Sequence, residues 1–307
     1  MLSLSGKEGD SQMARYTFKE FQAEYPDDGA CLDRIMLEQF GGCEFVCPAC
    51  GVETKFHRIT KRRAYACQDC GHHIYPCVGT IFEKSRTPLT KWFFVMYLMT
   101  STRHGVAAKE VERQLGVTYK CAWRMCHELR KLMAMADDFD GPLSGHVEVD
   151  ETWVGGRQPQ ADRRARGTNK TVVMGMVERG GKILAGPIPD VTRQTLEPIV
   201  VANVSADATI STDEAFAYND LHRLFAEHGV VKHVSKEYVR GIHHTNTLEG
   251  HWAHLKRSIA GTHIHVSGKH LWKYVSEFSY RRNWRASHFL MFDHLLVSVS
   301  RQRLQDA

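Results

Sequence analysis

The chain has 307 residues, 43% apolar and 24% charged, which is the balance of a globular protein able to bury a large core across two or three domains. A formal charge of +5 with 18 further histidines permits a polyanionic partner without requiring one. The opening residues Met1 to Glu8 lack the apolar core of a signal peptide, and the apolar run Trp92 to Met99 is too short to cross a bilayer. The expectation is a soluble, cytoplasmic protein without a membrane partner. Nine cysteines, four of them in two Cys-x-x-Cys pairs, indicate a metal site in a reducing compartment and not a disulfide framework.

Residues 1–16 read as a loose polar tail, and residues 17–42 as two short helices around Pro26-Asp-Asp-Gly29. Residues 43–82 hold the strongest local signal. Cys47 and Cys50, then Cys67 and Cys70, stand with sixteen residues between the inner pair. Four thiolates at this spacing make a closed tetrahedral Zn²⁺ site, a zinc ribbon, in which the metal is structural. Cys43 and Cys77 flank the tetrad, while Cys31, Cys121 and Cys126 read as small buried residues. The hairpin between the knuckles carries His57, Arg58, Lys61, Arg62 and Arg63, suited either to phosphate contact or to simple solvation.

Over residues 87–136 the apolar period is helical. Val106 to Leu115, the turn Gly116-Val-Thr and Tyr119 to Leu132 follow the helix-turn-helix plan, with Lys120, Arg124, His127, Arg130 and Lys131 arming the second helix for DNA. The same pair could also be a plain packing element. Acidic residues up to Pro142 then mark a boundary.

From residue 144 to 307 the pattern changes to strands and helices in alternation. His146 to Val154 alternates, with Val147 and Val149 on one face. A basic segment, Arg157 to Lys170, precedes a hairpin through Thr171–Val177 and Lys182–Ala185. A helix over Gln194–Asn203, a strand ending at Asp213, a helix over Tyr218–His228 and a strand over Val230–Val234 lead to the stretch Ile242–Ile259. That stretch reads as a helix entered at Thr245, with Leu248, Trp252, Leu255 and Ile259 on one face and Asn246, Glu249 and Lys256 on a neighbouring stripe. Helices through Trp272–Tyr280 and Phe289–Leu304 close the domain. This element order is that of an α/β, ribonuclease-H-like mixed sheet, preceded by a small zinc ribbon and a helix-turn-helix region.

In such a sheet the first and fourth strands are neighbours, so Asp150 and Asp213 come together and the helix can deliver Glu249. Three converging carboxylates repel one another and call for a cation, Mg²⁺ or Mn²⁺ for hard oxygen ligands. Glu151 and Glu214 face the opposite side of their strands. Lys256 and Arg257 are placed against DNA phosphate, with Arg62, Arg63, Lys120 and Arg124 as further DNA contacts. Asn246 and Trp252 are supporting residues, Trp252 by fixing the helix rotation. His251 and His254, three apart on the helix, admit metal binding, DNA-backbone contact or packing.

The wording at these places resembles the DDE transposases of bacterial insertion sequences, in the branch with an N-terminal zinc ribbon. The carrying residues are Val149-Asp150-Glu151-Thr152, Ser211-Thr212-Asp213 and His244 to Arg257, with Tyr75-Pro76, Gly79 to Phe82, Pro88 to Trp92, Gly261 to Ser267 and Glu277 to Asn283. The resemblance spans roughly residues 17–298. It implies that Asp150, Asp213 and Glu249 bind catalytic metal and that the enzyme cuts the terminal inverted repeats of its element. It further implies joining of the 3′ hydroxyls to target DNA and a homodimer or larger synaptic complex. Two rivals are a non-catalytic DNA-binding regulator of the same descent and a nuclease or resolvase that cuts without joining.

Overall fold

The computed structural model describes residues 16–137, 141–155, 170–235 and 239–305. The expected loose tail and the basic segment with Arg163, Arg164 and Arg166 lie outside these, apart from Tyr16 and Lys170.

Helix α1 (Phe18–Glu24) starts where the Thr17 side chain and Glu20 cap each other reciprocally. Helix α2 (Asp28–Phe40) is capped by the Asp27 carboxylate and stopped by Gly41 at φ +76°. An antiparallel sheet follows, ordered β1 (Glu44–Val46), β2 (Glu53–Arg58), β3 (Tyr65–Cys67) and β4 (His73–Ile74). Next come α3 (Leu89–Ser101), α4 (Ala108–Leu115) and α5 (Tyr119–Ala136), with Gly116 at φ +60° turning the chain between the last two.

The second sheet runs β7 (Ile183–Ile188), β6 (Lys170–Glu178), β5 (His146–Gly155), β8 (Thr209–Asp213) and β9 (Glu227–Val231). β7, β6 and β5 form an antiparallel meander; β8 and β9 are added in parallel. Strand alternation divides the core in two. Val147, Val149, Met174, Met176 and Ile210 face α6 (Arg193–Asn203), while Val154, Val173 and Val177 face α7 (Asn246–Ser258) and α8 (Gly268–Asn283). On α7 the residues predicted to be apolar knobs, Leu248, Trp252, Leu255 and Ile259, are all buried against the sheet. Burying each contributes about 1.5–3 kcal/mol, which fixes the rotation of the helix.

Two expectations are corrected. The helix expected over Tyr218–His228 is a pair of 3-10 turns, Phe216–Tyr218 and Leu221–Arg223. Pairing of β9 with β8 from Thr209↔Glu227 to Asp213↔Val231 takes Glu227, His228 and Gly229 into the sheet, so the last residues of the expected helix are strand instead. The closing helix α9 (Met291–Gln305) packs away from the sheet: Phe292, Leu295, Leu296 and Val299 join the core made by α1–α3 and α5. An ion-pair cluster ties the same regions together. Arg130 on α5 and Arg281 on α8 bond Glu277 at 2.7 and 2.8 Å, all three buried. Burial alone would raise the Glu277 pKa, but the two guanidiniums outweigh it and hold it at about 2.

Candidate active site

β5 and β8 run parallel with Glu148 opposite Ser211, so Asp150 and Asp213, two residues further on, stand side by side on the face toward α7. Asp213 is the last residue of its strand. Burial, the adjacent Glu151 and Asp213 push Asp150 up to about 7, even though a hydrogen bond from the Trp252 indole opposes them. Glu151 turns to the other face, as expected, and accepts a bond from the Tyr218 hydroxyl at 2.5 Å.

Trp252 does more than pack. Its Nε1 donates to Asp150 Oδ2 at 2.9 Å. Gly175, the β6 partner of Asp150, makes that approach possible: a Cβ there would stand 2.6 Å from the indole ring. Glu249 lies one turn earlier on α7, exposed, with Thr245 Oγ1 donating to its Oε1 at 3.3 Å. Asn246, expected to support Glu249, is exposed and its side chain forms no hydrogen bond with the described residues, so Thr245 takes that part. Lys256 reaches the field of Asp150 from one turn beyond Trp252 and lines a groove with Trp153, Lys170 and His265.

A Trp252→Phe protein keeps most of the packing and loses a bond made to the charged form of Asp150. Its Asp150 pKa should therefore rise further. The pH at which divalent cations bind should move upward by up to about one unit. Cation titration followed across pH 6–9 (about the range of interest) checks this, and an unmoved midpoint would contradict it.

Glu148 escaped the sequence reading. It is fully buried, two residues before Asp150 on the same strand face. Its carboxylate accepts from Thr247 N at 2.9 Å, Thr247 Oγ1 at 2.7 Å and Leu248 N at 3.3 Å. Arg179 Nε donates at 2.8 Å, and His244 Nδ1 lies 3.1 Å away. Helix α7 has no side-chain cap of its own at Thr245. Glu148 caps it from the sheet, and its charge suits the positive end of the helix. An acidic residue at an inward position beside Asp150 was the available signal.

The expected DNA contacts divide. Arg62, Lys120 and Arg124 are exposed, Arg124 with only a 3.5 Å contact to the Glu83 carbonyl. Arg63 points inward instead, donating to the carbonyls of Ser85 at 2.9 Å and Thr87 at 2.6 Å and to Asp28 at 3.3 Å. His127 and Arg130 are buried, which corrects their place on a DNA-reading face: Arg130 serves Glu277, and His127 stacks on Trp123. Lys131 is paired with Glu128. Arg257 points away from Lys256, on the opposite flank of α7.

In the first sheet, the ligand atoms of Cys47, Cys50, Cys67 and Cys70 all lie within 4.8 Å of one another. Cys47 and Cys70 sulfurs are 3.7 Å apart, and Cys50 and Cys67 sulfurs 4.0 Å. A tetrahedron with Zn–S bonds of about 2.3 Å has edges of about 3.8 Å, so the four thiolates fit zinc. Gly51 and Gly71, at φ +71° and +72°, turn each knuckle. Among the described residues this is the one such group. No helix of the described residues is long and apolar enough to cross a membrane.

Known protein families match both regions of the chain. Residues 142–283, from before β5 to the end of α8, match the family model of the ISXO2-like transposase domain. Residues 26–73 match that of the transposase zinc-ribbon domain. The chain is also 32% identical over 258 residues to an uncharacterized protein in transposable element ISH50 of Halobacterium salinarum, covering 77% of this chain and 84% of that protein. The order of the two matched domains and the extent of that relative show that this chain belongs to the insertion-sequence DDE transposases that carry an N-terminal zinc ribbon.

Proposed function

We propose that the chain is an active transposase that binds the terminal inverted repeats of its element, cleaves them and joins the freed 3′ hydroxyls to target DNA. The observation that carries this reading is the adjacency of Asp150 and Asp213 on paired strands, with Trp252 of α7 bonded to Asp150 and Glu249 one turn before Trp252 on that helix. The strand order, a three-stranded antiparallel meander extended by two parallel strands, supports a ribonuclease-H-like fold. The donor set is all carboxylate, and burial together with the charges of Glu151 and Asp213 raises the pKa of Asp150, so the residues fit hard divalent cations. Asp150, Asp213 and Glu249 are the residues that would hold such ions. Mg²⁺ or Mn²⁺ held there would activate water, then a DNA 3′ hydroxyl, and stabilise the leaving oxygen.

The protein's own groups supply the rest. Trp252 holds the Asp150 carboxylate in one orientation, and Glu148 anchors the helix that aims Glu249. Lys256 is poised against a phosphate near the scissile bond, with its charge offset by Asp150. The α4–turn–α5 pair and the ribbon read the terminal repeats, through Lys120, Arg124 and Arg62. Pairing two ends calls for at least a dimer in the working complex.

Supplied with Mg²⁺ and a labelled terminal-repeat duplex, the purified protein should yield joined products as well as cut ends. Cut ends alone would assign it to the nucleases or resolvases. Binding with neither product would make it a regulator.

A further inference from the structure

A second cationic site lies on the other flank of α7. There a cavity of about 580 Å³ opens between the end of α3, α7 and the end of α8. Its floor holds Phe278 and His251, and its walls and mouth carry Arg103, Arg257, Arg282 and Arg285. His251 is only 4% exposed, and its Nε2 has no hydrogen-bond partner; neither has the buried Nε of Arg282. The carboxylate of this neighbourhood, Glu277, is already held by Arg130 and Arg281. The four wall arginines form no ion pair with the described residues: the contacts of Arg257 and Arg285 are to the carbonyls of Ala253 and Arg282. Guanidiniums without an ion-pair partner, of which only Arg282 feels a carboxylate (Glu148), gathered in a cleft with unpartnered buried nitrogens suit an anion.

We propose that this cavity is a docking site for the sugar–phosphate backbone of duplex DNA, separate from the reactive groove that Lys256 and Lys170 line on the opposite flank. The inference rests on the DNA-binding reading above and adds to it a place. One free phosphate is satisfied by one or two guanidiniums, whereas these four come from four stretches, the turn after α3, α7, α8 and the 3-10 turn after α8, spread along an open cleft, an arrangement that suits successive phosphates of a polymer. Phe278 and Met291, both buried, make the bottom of the cleft apolar. Because Arg257 and Glu249 belong to one helix, a backbone seated here braces the helix that carries the catalytic glutamate. Such a contact is blind to sequence and reports itself through salt.

The test uses the full chain carrying Arg103→Gln and Arg285→Gln, both at exposed positions where folding is undisturbed, with the melting temperature verifying it. Affinity for a terminal-repeat duplex is measured from about 50 to 300 mM salt. The expected result is a loss of roughly ten-fold or more near 0.15 M salt, with the slope of log K against log salt reduced by about 2. Unchanged affinity and slope in the variant, with a wild type that binds, would overturn the docking site and leave the transposase reading intact. A wild type that fails to bind duplex DNA would overturn both. Inorganic phosphate is the parallel probe: if it raises the melting temperature of the wild type and not of the variant while DNA affinity is equal in the two, the cavity takes a small free anion and the DNA proposal is wrong.

Discussion

A Glu148→Ala protein is expected to lose about 3–5 kcal/mol of stability and essentially all DNA cleavage, although Glu148 is no ligand of the reacting groups. The substitution removes the partner of Arg179 and the acceptor for two amides at the start of α7, 99 and 100 residues away in sequence. Those donors are left in a site where Glu148 itself was fully buried, and unpaired buried donors are costly. The first turn of α7 should fray, and Glu249 sits in that turn. Glu148→Gln keeps the shape and two acceptor contacts while removing the charge, so it should fall between the wild type and alanine. Denaturant unfolding with cleavage assays of both variants checks this. An alanine variant within about 0.5 kcal/mol of wild type, cutting normally, would show that α7 does not depend on its cap.

Loss of the ribbon metal is the second large effect. The β1–β4 sheet is short, its last strand only His73–Ile74, and the tetrad stands at the turns that close it. Structural zinc in small modules supplies on the order of 10 kcal/mol of folding free energy. The wild type should therefore carry one zinc per chain by elemental analysis. Cys50→Ser, or chelation, should release it and expose the amides of Phe56 and Tyr65 to hydrogen exchange. The stack Phe40–Phe45–Phe56, at 5.2 and 4.4 Å between rings, links the ribbon to α2, so the damage should spread to the helical core. Full zinc occupancy in Cys50→Ser, or protection unchanged after chelation, would contradict a closed four-thiolate site.

What could be read from the sequence was local or periodic. The knuckles are fixed by two Cys-x-x-Cys pairs and their glycines. The rotation of α7 follows from four apolar residues at helical spacing, and Asp150 and Asp213 fall at positions that the topology makes neighbours. What could not be read depended on partners far along the chain. Arg130 and His127 look like a DNA-reading stripe until Glu277, 147 residues from Arg130, accounts for the arginine. Glu148 looks like an ordinary strand residue until α7 arrives over it. Gly175 matters only because Trp252 needs its space, and the segment before Val230 pairs as a strand although its composition permits a helix.

The proposed transposase activity requires Asp150, Asp213 and Glu249 to act together on divalent cations. Its most direct test is metal-dependent cleavage and joining of a terminal-repeat duplex by wild type and by the three single variants Asp150→Ala, Asp213→Ala and Glu249→Ala, each verified as folded and able to bind the same DNA. Each variant is expected to bind DNA but to lose cleavage and joining by about 10³-fold or more, beyond rescue by excess Mg²⁺. A folded variant of any of the three that still joins ends at the wild-type rate would contradict it.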